Sequence, residues 1–320
     1  FFHIDAHLFM YGAGLYRLLG GDVPVVAFFN QFLTCWPQYV SSLFLQPHEG
    51  VFLRIKKSLR WCMERSLGVF LANKLDLCIF VSPTLRKMYE NFGIKMLGRS
   101  IVIGDPIDFR KMARESGITE NSYSARIKKQ GPIIIFYSSR MSAGKGFDVL
   151  ISAFARVKNK DNFKVILGGT GPEAEAVRKL VQDLKLEKYI ELAGWVTKER
   201  LLEFYRTADI FIQADWWPAG TSISLLYALA FGLPSILPGG GGLQWNAGAS
   251  ALYFKYRDLD DLASKIEQLG SDYKLREELS RNCFRRLAEE DMNYELQIGK
   301  ELKMMQKVKE VTIANGRHMK

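Results

Sequence analysis

The run Ile133-Ile134-Ile135-Phe136 has no polar face. A strand with one wet side alternates apolar and polar residues, whereas a strand covered on both sides by helices reads as a continuous apolar run. Similar short runs recur along the chain between longer stretches with helical apolar spacing, the rhythm of parallel sheets with crossover helices. In the C-terminal part, strands are predicted at Ile133–Tyr137, Lys164–Leu167, Ile190–Leu192, Ile210–Gln213, Ser235–Leu237 and Ala251–Phe254. Helical spacing covers Val149–Val157, Ala174–Leu184, Lys198–Thr207 and Ile223–Phe231. An earlier set of strands is predicted at Val23–Phe29, Leu77–Val81 and Ile101–Ile103, with a further one at Phe1–Ile4.

The polar stretch 115–129, with Gly117, Asn121 and Ser122, reads as a linker. The expected organisation is an N-terminal unit over 1–127, a C-terminal unit over 128–290, and a mixed-charge helix over 291–320 returning across the first unit. Three or four strands are fewer than a doubly wound sheet usually has, and the chain opens Phe1-Phe2-His3 without an initiator Met. A truncated N-terminal unit is therefore expected.

The formal net charge of +10 admits a nucleic acid, an anionic membrane surface or a phosphorylated ligand as partner. No helix-turn-helix, RNP-like or zinc pattern accompanies the charge, so nucleic acid is not expected. Cys35, Cys62, Cys78 and Cys283 form no CxxC pair and have no histidine at ligand spacing, which argues against a zinc site or disulfide framework and for a reducing compartment. No apolar run is long enough to predict a transmembrane helix.

Arg140 and Lys145 lie five positions apart just past the strand Ile133–Tyr137, in Ser139-Arg140-Met141-Ser142-Ala143-Gly144-Lys145-Gly146-Phe147. A loop between a parallel strand and its helix lies at the carboxyl edge of the sheet, where such folds bind ligands. Two cations there, with glycines for close approach and a helix N-terminus, suit a diphosphate; a basic solvated loop would look the same. Gly168-Gly169-Thr170-Gly171-Pro172-Glu173 follows the next strand, and its glycines can supply positive φ. Then come Leu192-Ala193-Gly194-Trp195-Val196, Ala208-Asp209-Ile210-Phe211-Ile212 and Ala228-Leu229-Ala230-Phe231-Gly232-Leu233-Pro234.

This ordered series resembles the family-4 retaining glycosyltransferases, with R-x4-K-G, G-x-G-P-E, F-L-G, A-D-V-F and E-A-M-A-x-G-L-P in the same succession over about Ile133 to Ile266. Upstream, Lys74-Leu75-Asp76-Leu77-Cys78-Ile79-Phe80-Val81-Ser82 is similar to the family's A-D-x-V-I-A-V-S strand, and Val102-Ile103-Gly104-Asp105-Pro106-Ile107-Asp108 to its interdomain turn. The resemblance implies an α/β GT-B fold, two Rossmann-like domains facing a cleft. It also implies a metal-independent enzyme that moves a sugar, with retention, from a nucleoside diphosphate to a lipid-linked or polysaccharide acceptor. No cofactor is implied beyond the nucleotide-sugar donor. By position, Arg140 and Lys145 would hold the diphosphate and stabilise the leaving group. Gly168, Gly171 and Pro172 would approach the nucleotide. Gly240 and Gly241, in the run Gly239–Gly242, would offer backbone N–H groups, unless that run is only a flexible loop.

The pattern departs from the family at two glutamates, whose positions hold Ala219 and Tyr227; the Tyr227 hydroxyl is still expected to make one hydrogen bond to the donor, though not as a bidentate acceptor. Asp215 is the nearest carboxylate and is a substitute for one of them, or else the cap of a turn. Trp216 and Trp217 stack on a ligand or pack under the loop; Thr221, Ser222 and Ser224 donate to donor hydroxyls or cap the next helix. The histidine that often closes the strand equivalent to Val23–Phe29 is Asn30 here. These losses leave a second reading open, a GT-B-like binding subunit without transferase activity. Finally, Phe52, Ile55, Leu59, Cys62, Leu67 and Phe70 share a helical face flanked by Arg54, Lys56, Lys57, Arg60 and Arg65. That stripe is either core-facing or a dock for anionic lipid, the latter placing the protein peripherally on the cytoplasmic face of a membrane.

Overall fold

The computed structural model describes residues 2–5, 9–30, 55, 58, 59, 61–105, 108–115, 117–119, 131–215 and 220–314. Both sets of apolar runs form all-parallel sheets. The first holds β1 (Phe2–Asp5), β2 (Val25–Phe29), β3 (Leu77–Phe80) and β4 (Ser100–Val102), in that spatial order. The second has six strands, β5 (Ile133–Ser138), β6 (Phe163–Gly168), β7 (Ile190–Gly194), β8 (Ile210–Ile212), β9 (Ser235–Pro238) and β10 (Ala251–Phe254), in the order β10-β9-β8-β5-β6-β7.

Parallel strands need helical crossovers, and the chain supplies them. In the first unit, α1 (Phe9–Leu18) joins β1 to β2, and α2 (Pro83–Phe92) joins β3 to β4. The Oγ of Ser82 caps α2 by accepting from the amide of Leu85 at 3.3 Å, Pro83 opens the helix, and Gly93 closes it at φ 118°. One face of this sheet packs Val25, Ala27, Phe29, Cys78 and Phe80 against Leu85, Tyr89 and Phe92. The other face, Val26, Leu77, Ile79 and Ile103, receives Met304, Met305 and Val308 from the last helix, Tyr294–Ala314. Two covered faces explain why these strands carry no polar alternation.

The chain divides into Phe1–Pro106 with Asn293–Lys320, and Ile107–Met292. This corrects the boundary expected near residue 128. The short helix α3 (Phe109–Glu115) and the residues after it belong to the second unit because Met112 and Ile118 pack into its core. In that unit α4 (Phe147–Phe154), α5 (Ala174–Asp183), α6 (Lys198–Thr207), α7 (Ile223–Ala230) and α8 (Gly241–Ala247) follow β5 to β9 in turn. Two further helices, α9 (Leu259–Ser271) and α10 (Tyr273–Ala288), come after β10, and Tyr294–Ala314 is α11.

One aspartate device sets the strand register in both units. The amide of Asp76 donates to the carbonyl of Val25 (3.1 Å) while its Oδ2 accepts from the amide of Val25 (2.9 Å). The amide of Asp209 likewise donates to the carbonyl of Ile134 (2.8 Å), and its Oδ2 accepts from the amide of Ile134 (2.8 Å). Each carboxylate satisfies a backbone donor that the ladder leaves over at the start of the neighbouring strand. Asp76 also pairs with Arg17, itself almost fully buried, at 2.6 Å.

The amphipathic stripe does not face a core. Ile55, Leu59, Leu67 and Phe70 are about half exposed or more, and Cys62 is exposed; Phe52, Arg54, Lys56, Lys57 and Arg60 lie outside the described residues. Among the described residues no helix is long and apolar enough to cross a membrane.

Candidate donor site at the switch point of the second sheet

Strand order in the second sheet reverses between β5 and β8: β6 and β7 extend to one side, β9 and β10 to the other. The connections leaving β5 and β8 therefore lead to strands on opposite sides, and the crevice at this point of the carboxyl edge is where an open α/β sheet binds ligands. Arg140 and Lys145 stand on the first of these connections, Gln213 and Asp215 on the second.

The two loops touch backbone to backbone. Gly146, the N-cap of α4, adopts φ 67°, and a Cβ there would meet the carbonyl oxygen of Ala214 at 1.9 Å. Only glycine allows both the left-handed backbone and that approach. The contact brings the Nζ of Lys145 to 3.3 Å from Oδ2 of Asp215. Asp215 is buried, at 2% exposure, and accepts from the hydroxyl of Tyr137 at 2.8 Å and from Nε2 of Gln213 at 3.0 Å. Burial, and then the charge of Asp215, push the Tyr137 hydroxyl well above its ordinary pKa, so it stays a neutral donor. These contacts correct the expectation that Asp215 replaces a donor-binding glutamate, because its oxygens are turned inward and engaged.

Arg140 is exposed and lines a cavity of about 450 Å³ with Ser138, Ser139, Gly169, Thr170, Trp195 and Val196. Gly171 also lines it, whereas Lys145 and Gly168 do not. The glycines of this loop serve chiefly to seat it on the Arg140 loop. A Cβ on Gly169 would lie 1.8 Å from the carbonyl oxygen of Ser139, one on Gly171 2.3 Å from that of Met141, and one on Gly168 2.8 Å from Oγ of Ser138. The Met141 amide donates to the carbonyl of Thr170 at 2.9 Å, and the Glu173 amide to the carbonyl of Met141 at 3.0 Å, which fixes the pair of loops. Pro172 is exposed in the same turn. Burial, with the charge of Asp148 second, raises the carboxyl pKa of Glu173 just before α5.

The remaining residues divide. Ser222 caps α7, its Oγ accepting from the amide of Leu225 at 3.3 Å and donating to Oε1 of Gln213 at 2.7 Å. Ser224 donates to the carbonyl of Ser138 at 2.9 Å. Oγ1 of Thr221 is buried with no hydrogen-bond partner among the described residues. The ring of Tyr227 stacks on the core residue Tyr205, with centroids 5.6 Å apart, and so belongs to the packing beneath the crevice. At Gly240 the structure departs from a further expectation. The amide of Gly240 donates to the side chain of Gln244 and that of Gly239 to the carbonyl of Phe254, so neither is left for a phosphate; Gly241 opens α8 at φ 73°. Trp216, Trp217 and Ala219 lie outside the described residues. The sequence reading passed over Tyr137, Gln213 and Trp195. All three lie at or just beyond the carboxyl ends of strands, the position that could have singled them out.

Residues 119–286 match the model of the glycosyl transferases group 1 family. The chain is 27% identical over 192 residues to alpha-monoglucosyldiacylglycerol synthase of Streptococcus pneumoniae, covering 58% of this chain and 43% of that protein. It spans less than half the length of the curated relatives it matches first. Among solved structures, sucrose-phosphate synthase from Thermosynechococcus elongatus superposes with a TM-score of 0.74 at 18% identity, over 98% of this chain and 73% of that one. HepE from Anabaena, in complex with UDP and glucose, gives 0.71 at 17%, over 94% and 77%. The fold is GT-B, and the chain belongs to the glycosyl transferases group 1 family.

Proposed function

We propose that this chain forms the donor-binding part of a retaining, metal-independent glycosyltransferase that passes a sugar from a nucleoside-diphosphate sugar to a lipid-linked or polysaccharide acceptor. The observation that carries the reading is the placement of Arg140 and Lys145 on one loop at the switch point of a six-stranded parallel sheet. Negative charge grows on the diphosphate as the glycosidic bond breaks, and fixed cations at that edge stabilise it. Beside Arg140, the exposed indole of Trp195 and the backbone of Thr170 line a cavity that offers an aromatic surface and polar edges to a nucleobase. The lipid acceptor is supported by the name of the streptococcal relative, a synthase of a glucosyldiacylglycerol.

The test is incubation with a panel of UDP-, GDP- and ADP-sugars. Donor hydrolysis that falls about a hundredfold or more in Arg140→Ala and Lys145→Ala, while staying measurable, is the expected result. Donor binding with no turnover on any acceptor would favour the second reading, a GT-B-like binding subunit. That reading draws on Ala219 and on Tyr227, which packs on Tyr205 where the family carries a glutamate.

The same reading includes an anionic membrane as partner, at its cytoplasmic face. Its support is the half-exposed stripe of Ile55, Leu59, Met63, Leu67 and Phe70, in a stretch rich in Lys and Arg. Co-sedimentation with phosphatidylglycerol vesicles should weaken as salt rises. Binding indifferent to lipid charge and salt would remove the membrane from the proposal.

A further inference from the structure

Lys145 has a carboxylate partner that donor binding does not itself require. Asp215 lies just past β8, the strand next to β5, and its carboxylate is held from the protein side by two neutral donors. The hydroxyl of Tyr137 reaches Oδ1 and Nε2 of Gln213 reaches Oδ2. Gln213 is itself oriented, because its Oε1 accepts from Ser222, the residue that caps α7. A chain of hydrogen bonds thus runs from the start of α7 to Asp215. The last partner is the Lys145 ammonium, at 3.3 Å on Oδ2. One end of this ion pair is rigid, with a side chain 1% exposed; the other, at 38%, reaches solvent.

Resting on the donor-site reading, we propose that Asp215 is a positioning residue: acting through Lys145, it fixes the ammonium at the crevice before a donor diphosphate arrives. A lysine side chain loses more rotamer freedom on being fixed than almost any other. Here that loss occurs on folding rather than in the bound complex. Kinase lysines that meet nucleotide phosphates are held in the same manner, by a carboxylate on a neighbouring element. Asp215 touches no donor in this arrangement. Its effect on turnover has to vanish when Lys145 is absent.

The test is a double-mutant cycle with Asp215→Asn and Lys145→Ala, read on the donor hydrolysed fastest in the panel above. Asparagine keeps the shape, and Gln213 can turn its amide to present Oε1 to the new Nδ2, with Ser222 accepting instead. Asp215→Asn alone should lower kcat about tenfold, leave the donor KM within about threefold, and cost less than about twofold in the Lys145→Ala background. Equal losses in both backgrounds would overturn the proposal, since a merely structural aspartate acts without regard to residue 145. Should Asp215→Asn not fold, the cycle is run with Tyr137→Phe, which removes one support of the carboxylate and leaves the ring. The same non-additivity is expected, and additivity overturns. A separate arm follows the ¹⁵N ammonium resonance of Lys145, assigned by its loss in Lys145→Ala. It should move in Asp215→Asn without ligand, and again when UDP or GDP is added to the native protein. Movement with Asp215→Asn but with neither nucleotide would overturn the donor reading, and this role with it. Movement with a nucleotide but not with Asp215→Asn would overturn this role alone.

Discussion

Replacing Gly146 by alanine probes the contact on which the whole site rests. The residue caps α4 at φ 67° and ψ 17°, and an added Cβ would meet the Ala214 carbonyl oxygen at 1.9 Å and the Asp215 amide nitrogen at 2.8 Å. Two costs follow. Holding a non-glycine residue in the left-handed region costs about 1–2 kcal/mol. Restoring ordinary contact near 3.5 Å requires the two loops to part by about 1.6 Å, and the obstructing atom is backbone, with no flexible side chain to yield. Ala214 and Phe147 on either side are buried, so parting the loops disturbs the ends of β8 and α4, a further cost of about 1–3 kcal/mol. The control is Gly194→Ala, at φ 64° with nothing within 4 Å of the added methyl, which bears the first cost alone. In denaturant unfolding Gly146→Ala should lose about 3 kcal/mol and Gly194→Ala about 1 kcal/mol. Donor hydrolysis by folded Gly146→Ala should fall about a hundredfold, because Lys145 is displaced by more than an ångström. Losses equal within about 0.5 kcal/mol would refute the argument that this close approach shapes the site.

The paired strand-start aspartates make a comparative prediction. Asp209→Ala strands the amide of Ile134 and should cost about 1–3 kcal/mol in denaturant unfolding. Asp76→Ala strands the amide of Val25 and also the buried Arg17, and should cost about 3–5 kcal/mol; equal losses would mean that the arginine contributes nothing. Asp291 supplies a pH dependence. Burial acts to raise its carboxyl pKa, but the hydrogen bonds and charge of Arg286 outweigh this, and the net shift is downward. A lowered carboxyl stabilises the fold above the unfolded value near about 4 and loses that contribution as pH falls through the folded value. Thermal unfolding followed from neutral pH into that acid range should show a smaller decline in Asp291→Asn than in the native chain, and identical profiles would exclude the pair.

Most of the fold was legible because both faces of both sheets are covered. Runs such as Ile133-Ile134-Ile135-Phe136 have no competing reading as amphipathic helices, and the observed strands match the expected ones within two residues at each end. Arg140 was legible for the same topological reason, since a loop after a parallel strand has only one edge to occupy. The partner of Lys145 was not, because Asp215 is 70 positions away and becomes a neighbour only through the reversal of strand order. The glycines after β6 were rightly expected to need unusual backbone, yet φ says nothing of which atom lies opposite. For Gly169 and Gly171 it is the carbonyls of the Arg140 loop. The stripe from Ile55 to Phe70 shows the limit of periodicity, which gives the same pattern whether a face meets a core or solvent.

Carboxylates are scarce at this crevice, and that bears on what it can distinguish. The resemblance implies two glutamates near the donor, but Ala219 and Tyr227 stand at those positions, and Tyr227 is stacked on Tyr205. Asp215 is engaged by Tyr137, Gln213 and Lys145. Sugar hydroxyls are read most sharply by buried groups that are left unpaired when the wrong hydroxyl faces them. With cations and an aromatic ring present, and with Asp215 occupied and Tyr227 packed away among the described residues, recognition at the proposed donor site would fall mainly on the diphosphate and the base. Sugars on one nucleotide should therefore be poorly separated. UDP-glucose and UDP-galactose, compared by kcat/KM for hydrolysis, should differ by less than about tenfold, well short of the ratio expected where a site hydrogen-bonds the distinguishing hydroxyl. A ratio above about a thousandfold would mean that a strong acceptor does face the sugar, and would refute this account of the donor site.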